Sequence, residues 1–322
     1  MTMGIRARLL LAAIATLFSA LAVAQAQGTY RVGILSSLAP TGRDAAFVQG
    51  LAGLGYAEGK NLRLERRYPG GNAQHLEQAA RELLAQEVQV VFAPTTIAAS
   101  AVKRAGPVPI VFATAPDPVG SGLVASLARP GGNATGTTSV STELNAKRLQ
   151  LLKEAFPAIS RTAVVTSREP VVARHVAEIQ AAAKQLGLSL LTVEATNPEG
   201  LERAYDSLRE WRADSLYVIQ STTNFNNRKL LAELAARASL PAMFPYEESV
   251  EAGGLMSYGT DFDALYRRAA AYVDRILKGA KPEALPVEQP TKFELAINAR
   301  TARALQAKMS PSVLARADRI IE

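Results

Sequence analysis

Residues 116–136 read PDPVGSGLVASLARPGGNATG. Seven residues up to Gly132 are Gly or Pro, and Gly136 closes the stretch. Such punctuation suits either a loop that cradles phosphate or a connector between two parts of a fold. A Walker loop needs G-x-x-x-x-G-K-[ST], and no Lys follows these glycines. The nearest approach elsewhere ends at Gly59-Lys60, where Leu54 and Asn61 break the pattern. A dinucleotide fingerprint should follow the first strand with three glycines, yet SSLAPTG (36–42) has one. Within the stretch, LVASLA predicts a short helix that RPGGN ends, because Gly tolerates positive φ. NATGTTS then leads out extended. Local physics therefore favours the connector.

On both sides of the connector two periods alternate. YRVGILS (30–36) is a short apolar run that suits a buried parallel strand. Helix over 44–54 and a turn over 55–61 follow. Residues 61–67 alternate Leu62 and Leu64 with Arg63, Glu65 and Arg67, the pattern of a strand with one wet face near a sheet edge. Helix 73–86, strand VQVVF (88–92), helix 96–104 and strand PIVFA (109–113) complete the first half. In the second half, strands are expected at 161–167, 188–194, 215–220, 241–245 and 254–259, with helices between them. Asn197-Pro198-Glu199 opens one helix with an N-cap, a first-turn Pro and an acid. Its stripe of Leu201, Ala204, Tyr205, Leu208 and Trp211 has helical spacing, so the single Trp reads as packing. Residues 263–278 predict a long helix. Short loops between alternating strands and helices imply parallel sheets covered on both faces. The fold class is thus α/β, with two doubly wound lobes and no low-complexity linker between them.

The chain opens with Arg6 and Arg8 before LLLAAIATLFSALAVA, the form of an export signal. Ala22-Val23-Ala24 and Ala24-Gln25-Ala26 both meet the small-x-small rule, so cleavage is expected near Ala24 or Ala26. A retained anchor needs about twenty apolar residues and a basic far flank, which the sequence lacks. There is no Cys, which excludes disulfides, thiolate catalysis, Cys-ligated zinc and a lipid-anchored N-terminus. Removal of 1–26 takes the net charge from +7 to +5 as Arg6 and Arg8 go, and leaves 296 residues, enough for about two domains. The Lys and Arg residues are scattered, so no nucleic-acid face is expected. His75 and His175 lie apart, each in a helix without a ligand partner at metal spacing. No G-x-S-x-G elbow occurs. No metal, cofactor or catalytic constellation is expected, and the chain is not read as an enzyme.

Six segments carry a resemblance: GLAGLGYAEGKNL (50–62), DPVGSGLVASLARPGGNATG (117–136), AKRLQLLKEAFP (146–157), VEAGGLMSYG (250–259), YVDRILKGAKPEALPVEQPTKFELAIN (272–298) and PSVLARADRIIE (311–322). In order, over nearly all of the mature chain, they resemble exported substrate-binding proteins of ABC transporters, in the family that includes tryptophan- and tyrosine-type binders. The resemblance implies a type I periplasmic-binding-protein fold, in which two Rossmann-like lobes joined by three hinge crossings close on a small molecule. Lobe one would be 28–139 plus 260–284, and lobe two 140–259 plus 285–322. The crossings are expected near 137–142, 257–262 and 281–289. It further implies a monomer in the periplasm that serves an inner-membrane ABC permease. A ligand-binding component of a sensor or other partner complex, without transport, is the alternative.

In doubly wound sheets, ligands sit at the carboxyl ends of strands beside helix N-termini. That rule selects Ser36, Ser37, Thr95, Thr96, Ala115 and Asp117 in lobe one. In lobe two it selects Ser167 to Glu169, Gln220 to Asn224 (with Ser221, Thr222 and Asn224), and Phe244, Tyr246 and Glu247; Tyr258 lies by the second crossing. For a zwitterionic or acidic ligand, Thr95 and Thr96 would take a carboxylate. Asp117 or Glu247 would face an ammonium, and Phe244, Tyr246 and Tyr258 would form an apolar wall. Each has a plainer reading: the threonines as helix caps, Asp117 as a turn acid before Pro118, the tyrosines as packing. Departures from the family's pattern gather here. Pro94-Thr95-Thr96-Ile97 stands where relatives tend to read Thr-Gly-Thr-Pro, and Ala115-Pro116, Thr166-Ser167-Arg168-Glu169 and QSTTNF (220–225) are also unusual.

Overall fold

The computed structural model describes residues 29–322 except 71, 170, 171, 196 and 307, so the expected leader at 1–26 lies outside the described residues. The first apolar run forms β1 (Tyr30–Leu35), buried from its third residue onward. It pairs in parallel with β2 (Leu62–Arg67) and β3 (Val90–Phe92). With β4 (Ile110–Ala115) and β5 (Ala134–Thr138) these make a parallel sheet in the order β2-β1-β3-β4-β5. The charged strand β2 takes the edge, as its alternation requires. Phe47 of α1 (Gly42–Gly53) stacks on Phe92 on one face, beside Tyr266 of the long helix α10 (Phe262–Leu277). Leu76 and Leu83 of α2 (Ala73–Ala85) and Ala98 and Val102 of α3 (Thr96–Ala105) cover the other.

A second sheet runs β12-β11-β10-β9-β8-β6-β7, formed by β6 (Arg161–Thr166), β7 (Ser189–Glu194), β8 (Ser215–Val218), β9 (Ala242–Phe244), β10 (Met256–Thr260), β11 (Phe293–Asn298) and β12 (Arg319–Ile321). Its neighbours are parallel except for antiparallel β10 and β11. On one face lie α4 (Asn145–Ala155) and α5 (Val172–Leu186). On the other lie α6 (Pro198–Glu210) and α8 (Arg228–Arg237). Asn197 caps α6 by accepting from Gly200 N. The Arg161 guanidinium lies 4.9 Å over the Trp211 ring, a packing role. Short helices α7 (Thr222–Asn226) and α9 (Glu247–Glu251) follow β8 and β9.

The opening stretch departs from expectation in one respect. LVASLA is not helical; residues 118–122 turn, and the chain runs irregularly to β5. The Lys103 ammonium donates to the carbonyls of Gly122 at 2.7 Å and Leu123 at 3.1 Å, taking acceptors a helix would use itself. Leu123 and Val124 are buried in the first lobe. Gly136 has φ +145°, and a Cβ there would overlap the Phe112 carbonyl of β4, so only Gly serves at this close approach.

Three crossings join the lobes and bond to one another. β5 leads into α4, β10 into α10, and Glu288 towards β11. Thr138 N donates to Glu288 O at 2.9 Å, and the Thr260 hydroxyl to Ser139 O at 3.2 Å. Leu285 and Val287 pack in the first lobe's cores, and the third crossing follows near Glu288.

Candidate functional site

A cleft of about 740 Å³ opens between the lobes at the carboxyl ends of the strands. The turn after β3 brings Thr95 and Thr96 to it at the start of α3. Thr95 is the N-cap: its Oγ1 accepts from Ala98 N at 3.4 Å and lies 2.6 Å from Ser37 Oγ. The plainer reading thus holds for Thr95. Thr96 differs, since its buried hydroxyl has no partner among the described residues and the residue lines the cleft.

From the connector comes Asp117, whose two carboxylate oxygens are engaged. One accepts from Gly120 N at 2.9 Å, and the other pairs with the Arg174 guanidinium of α5, across the lobes. Gly120 makes room for this pair, since a Cβ there would meet the carboxylate. The second acid at the cleft, Glu169, accepts from the amides of Thr222 at 3.2 Å and Thr223 at 2.8 Å. It supplies negative charge to the first turn of α7, where Ser221 caps by accepting from Asn224 N at 3.0 Å.

Gln220, at the end of the β8 run, is buried and lines the cleft. Its Nε2 donates to Ser139 Oγ at 2.8 Å and lies 3.5 Å from the Thr114 carbonyl. A carbonyl only accepts, so the amide stands with Nε2 towards it and Oε1 turned away. That Oε1 has no partner among the described residues. The apolar wall is formed by Leu38, Ile97, Phe225 and Tyr246. Burial pushes the Tyr246 phenol far above its usual range, and its hydroxyl donates to Ser221 O at 3.0 Å, so it stays neutral.

Thr95, Thr96, Asp117, Glu169, Ser221, Thr222 and Tyr246 therefore share one cleft. The other strand-end candidates stand elsewhere. Ser36 Oγ accepts from Leu38 N, and Ser37 backs Thr95. The Ala115 carbonyl accepts from the Thr138 hydroxyl. Ser167 is buried off the wall, and Asn224 Nδ2 donates inward to Val165 O and Ile219 O. Phe244 is in the second lobe's core. Glu247 pairs with Arg319 in a separate recess, away from any ammonium in the cleft. Tyr258 packs on Phe293, 6.2 Å between ring centroids, and its carbonyl accepts from Arg148 Nε at 2.6 Å. The apolar wall expected from Phe244 and Tyr258 is thus made by Phe225 instead, beside Tyr246.

Arg43 is the main residue that strand ends could not reveal. It lies in the first turn of α1, is 3% exposed, and lines the cleft. Its guanidinium carbon sits 4.4 Å over Phe225 and 4.2 Å over Phe262, and its Nε donates to Glu248 Oε1 at 2.5 Å. No local signal marks it, because its partners lie about two hundred residues away. Among the described residues no cluster of metal-ligating side chains occurs.

Two parallel-sheet lobes, three crossings and a polar cleft between them define a hinged binder of small molecules. Residues 32–321 match the model of the ABC transporter substrate binding protein family, and the chain belongs to that family, one of substrate binders rather than enzymes. It is 26% identical over 262 residues to a tyrosine-binding protein of Clostridioides difficile (strain R20291), covering 80% of this chain and 75% of that protein. A conserved domain protein of Vibrio cholerae is 29% identical with a TM-score of 0.83, over 91% of this chain and 99% of that one. An ABC domain from Streptococcus pneumonia in complex with L-Trp is 24% identical with a TM-score of 0.84, over 91% and 100%. The two lobes match the architecture of periplasmic binding proteins.

Proposed function

We propose that the protein is the periplasmic binding component of an ABC importer and that it captures a small carboxylate between its lobes. One observation carries this reading: Thr96 and Gln220, one from each lobe, both line the cleft, and Thr96 Oγ1 and Gln220 Oε1 are buried without partners among the described residues. Buried polar atoms are normally hydrogen-bonded, so a molecule that bonds both is the natural occupant. Near Thr96, the N-terminus of α3 offers backbone N–H groups and partial positive charge to a carboxylate. The relatives named for tyrosine and complexed with L-Trp are consistent with a carboxylate on an apolar body.

Closure is the mechanism. A ligand touching both lobes stabilises the closed state in proportion to its preference for that state. The permease then reads the closed shape. The apolar run after Arg6 and Arg8 supports export, with cleavage near Ala24 or Ala26.

The test is a thermal-shift screen of the chain from Gln27, unfolded and refolded to strip carried-over ligand, against amino acids, other carboxylates, purines and sugars. A ligand at 100 times its Kd stabilises by about 2.7 kcal/mol, which shifts Tm by several degrees. A carboxylate hit accompanied by a smaller radius of gyration is expected. A hit confined to sugars or purines would overturn the carboxylate, and no hit at all would overturn capture.

A further inference from the structure

We propose that the ligand pairs its carboxylate with an uncharged hydrogen-bond donor, a hydroxyl above all, and that it has no ammonium. The class is a 2-hydroxy acid on an apolar body. The inference rests on the reading of the cleft as a carboxylate site.

Three observations support it. First, the acids among the described lining residues are Asp117 and Glu169, and both are engaged. Asp117 holds Arg174 and Gly120 N, and Glu169 holds the first amides of α7. The Arg174 guanidinium already occupies the Asp117 carboxylate, an acid that an amino acid's ammonium would otherwise use. An ammonium brought to Asp117 would meet like charge and gain little from a carboxylate already neutralised. Burying such a charge without a counterion is costly.

Second, the lining residues include four arginines, Arg43, Arg104, Arg168 and Arg174, against those two acids. Each arginine has a carboxylate partner, at Glu248, Glu77, Glu194 and Asp117 respectively. None of these pairs leaves an unengaged carboxylate on the wall.

Third, Gln220 Oε1, an unpartnered atom of a lobe-two residue that lines the cleft, is a neutral acceptor. Gln220 Nε2 lies towards Ser139 Oγ and the Thr114 carbonyl, which leaves Oε1 without a partner among the described residues and available to a donor. A hydroxyl supplies that donor without charge. A ligand lacking it leaves the buried acceptor unpaired, which lowers affinity. Thr114 also donates its hydroxyl to Pro94 O at 3.0 Å, just before Thr95. One chain of contacts therefore joins the acceptor to the carboxylate end of the cleft.

The experiment compares two matched series by calorimetry on the stripped protein. One is 3-phenyllactate, 3-phenylpropionate and L-phenylalanine; the other is 2-hydroxy-4-methylpentanoate, 4-methylpentanoate and L-leucine. In at least one series the hydroxy acid should bind about ten-fold or more tighter than both the amino acid and the unsubstituted acid. Arg174→Gln, at a half-exposed helix position, should free Asp117 and narrow or reverse the preference over the amino acid. A wild-type preference for the amino acid would overturn the proposal. So would equal binding of the hydroxy and unsubstituted acids, or a preference that Arg174→Gln leaves unchanged. If neither series binds but a sugar or purine does, the hydroxy-acid class and the carboxylate fail while capture stands. If nothing binds and the lobes never close, the underlying reading fails too.

Discussion

Thr95 and Thr96 are adjacent and alike, and the fold gives them different work. Thr95 Oγ1 is spent on Ala98 N and Ser37, whereas Thr96 Oγ1 has no partner among the described residues. Thr95→Ala should therefore cost the ligand-free protein about 1 kcal/mol, the usual worth of an N-cap. Thr96→Ala should leave ligand-free Tm nearly unchanged and weaken ligand binding roughly ten-fold, the worth of one hydrogen bond to a charged group. Paired melts and titrations check both. A Thr96→Ala protein with unaltered affinity would remove that hydroxyl from the site. The sequence marked both threonines through the strand-end rule, but a hydroxyl's partner depends on the turn around it. That is why the choice between cap and contact stayed open until the turn was seen.

Secondary-structure elements are tied behind the cleft by a buried polar set. The Tyr217 hydroxyl of β8 donates to Asn145 Oδ1 of α4 at 2.9 Å, which leaves Asn145 Nδ2 to donate to His175 Nδ1 of α5 at 2.9 Å. His175 is fully buried, and desolvation, with Arg148 and then Arg174 nearby, pushes its pKa down to about 3 from 6.5. In the unfolded chain the imidazole takes a proton near pH 6.5, while in the folded chain it does not until about pH 3. Folding stability should consequently fall as pH drops through that window and be unaffected by this group above it. Denaturant melts between pH 7 and 5 should show the slope, and His175→Gln should flatten it. An unchanged slope would place its origin in other groups. The periodicity of α5 showed a helix, but nothing local showed that its histidine faces an asparagine thirty residues earlier.

At the scale of the whole molecule, Arg43 holds the lobes together. It reaches from α1 of lobe one, beside Phe262, onto Phe225 and Glu248 of lobe two. A desolvated cation on an aromatic face contributes about 2 kcal/mol, and the buried ion pair raises the cost of losing one partner. Arg43→Ala should shift the ligand-free protein toward the open state by ten-fold or more. Small-angle scattering would show this as a larger radius of gyration without ligand. Apparent affinity should fall by the fraction of closed protein lost. A variant with the wild-type radius would show that the lobes close without this contact.

The sequence by itself determined the layers. Strand and helix periods are local properties of side-chain spacing, so they announced two doubly wound lobes and the wet edge strand β2. It also pointed to part of the cleft, because strands in such sheets end where ligands bind: seven of the fifteen candidates line it. The tertiary structure decided what those residues do there. Asp117 pairs with the Arg174 guanidinium at the cleft, Glu247 turns to Arg319 outside it, Phe225 stands in the wall where Phe244 was expected, and Lys103 takes the carbonyls of Gly122 and Leu123 where a helix was expected. Each of these outcomes turns on a partner distant in the chain. Charge pairing and burial depend on distance in space, which local spacing does not encode.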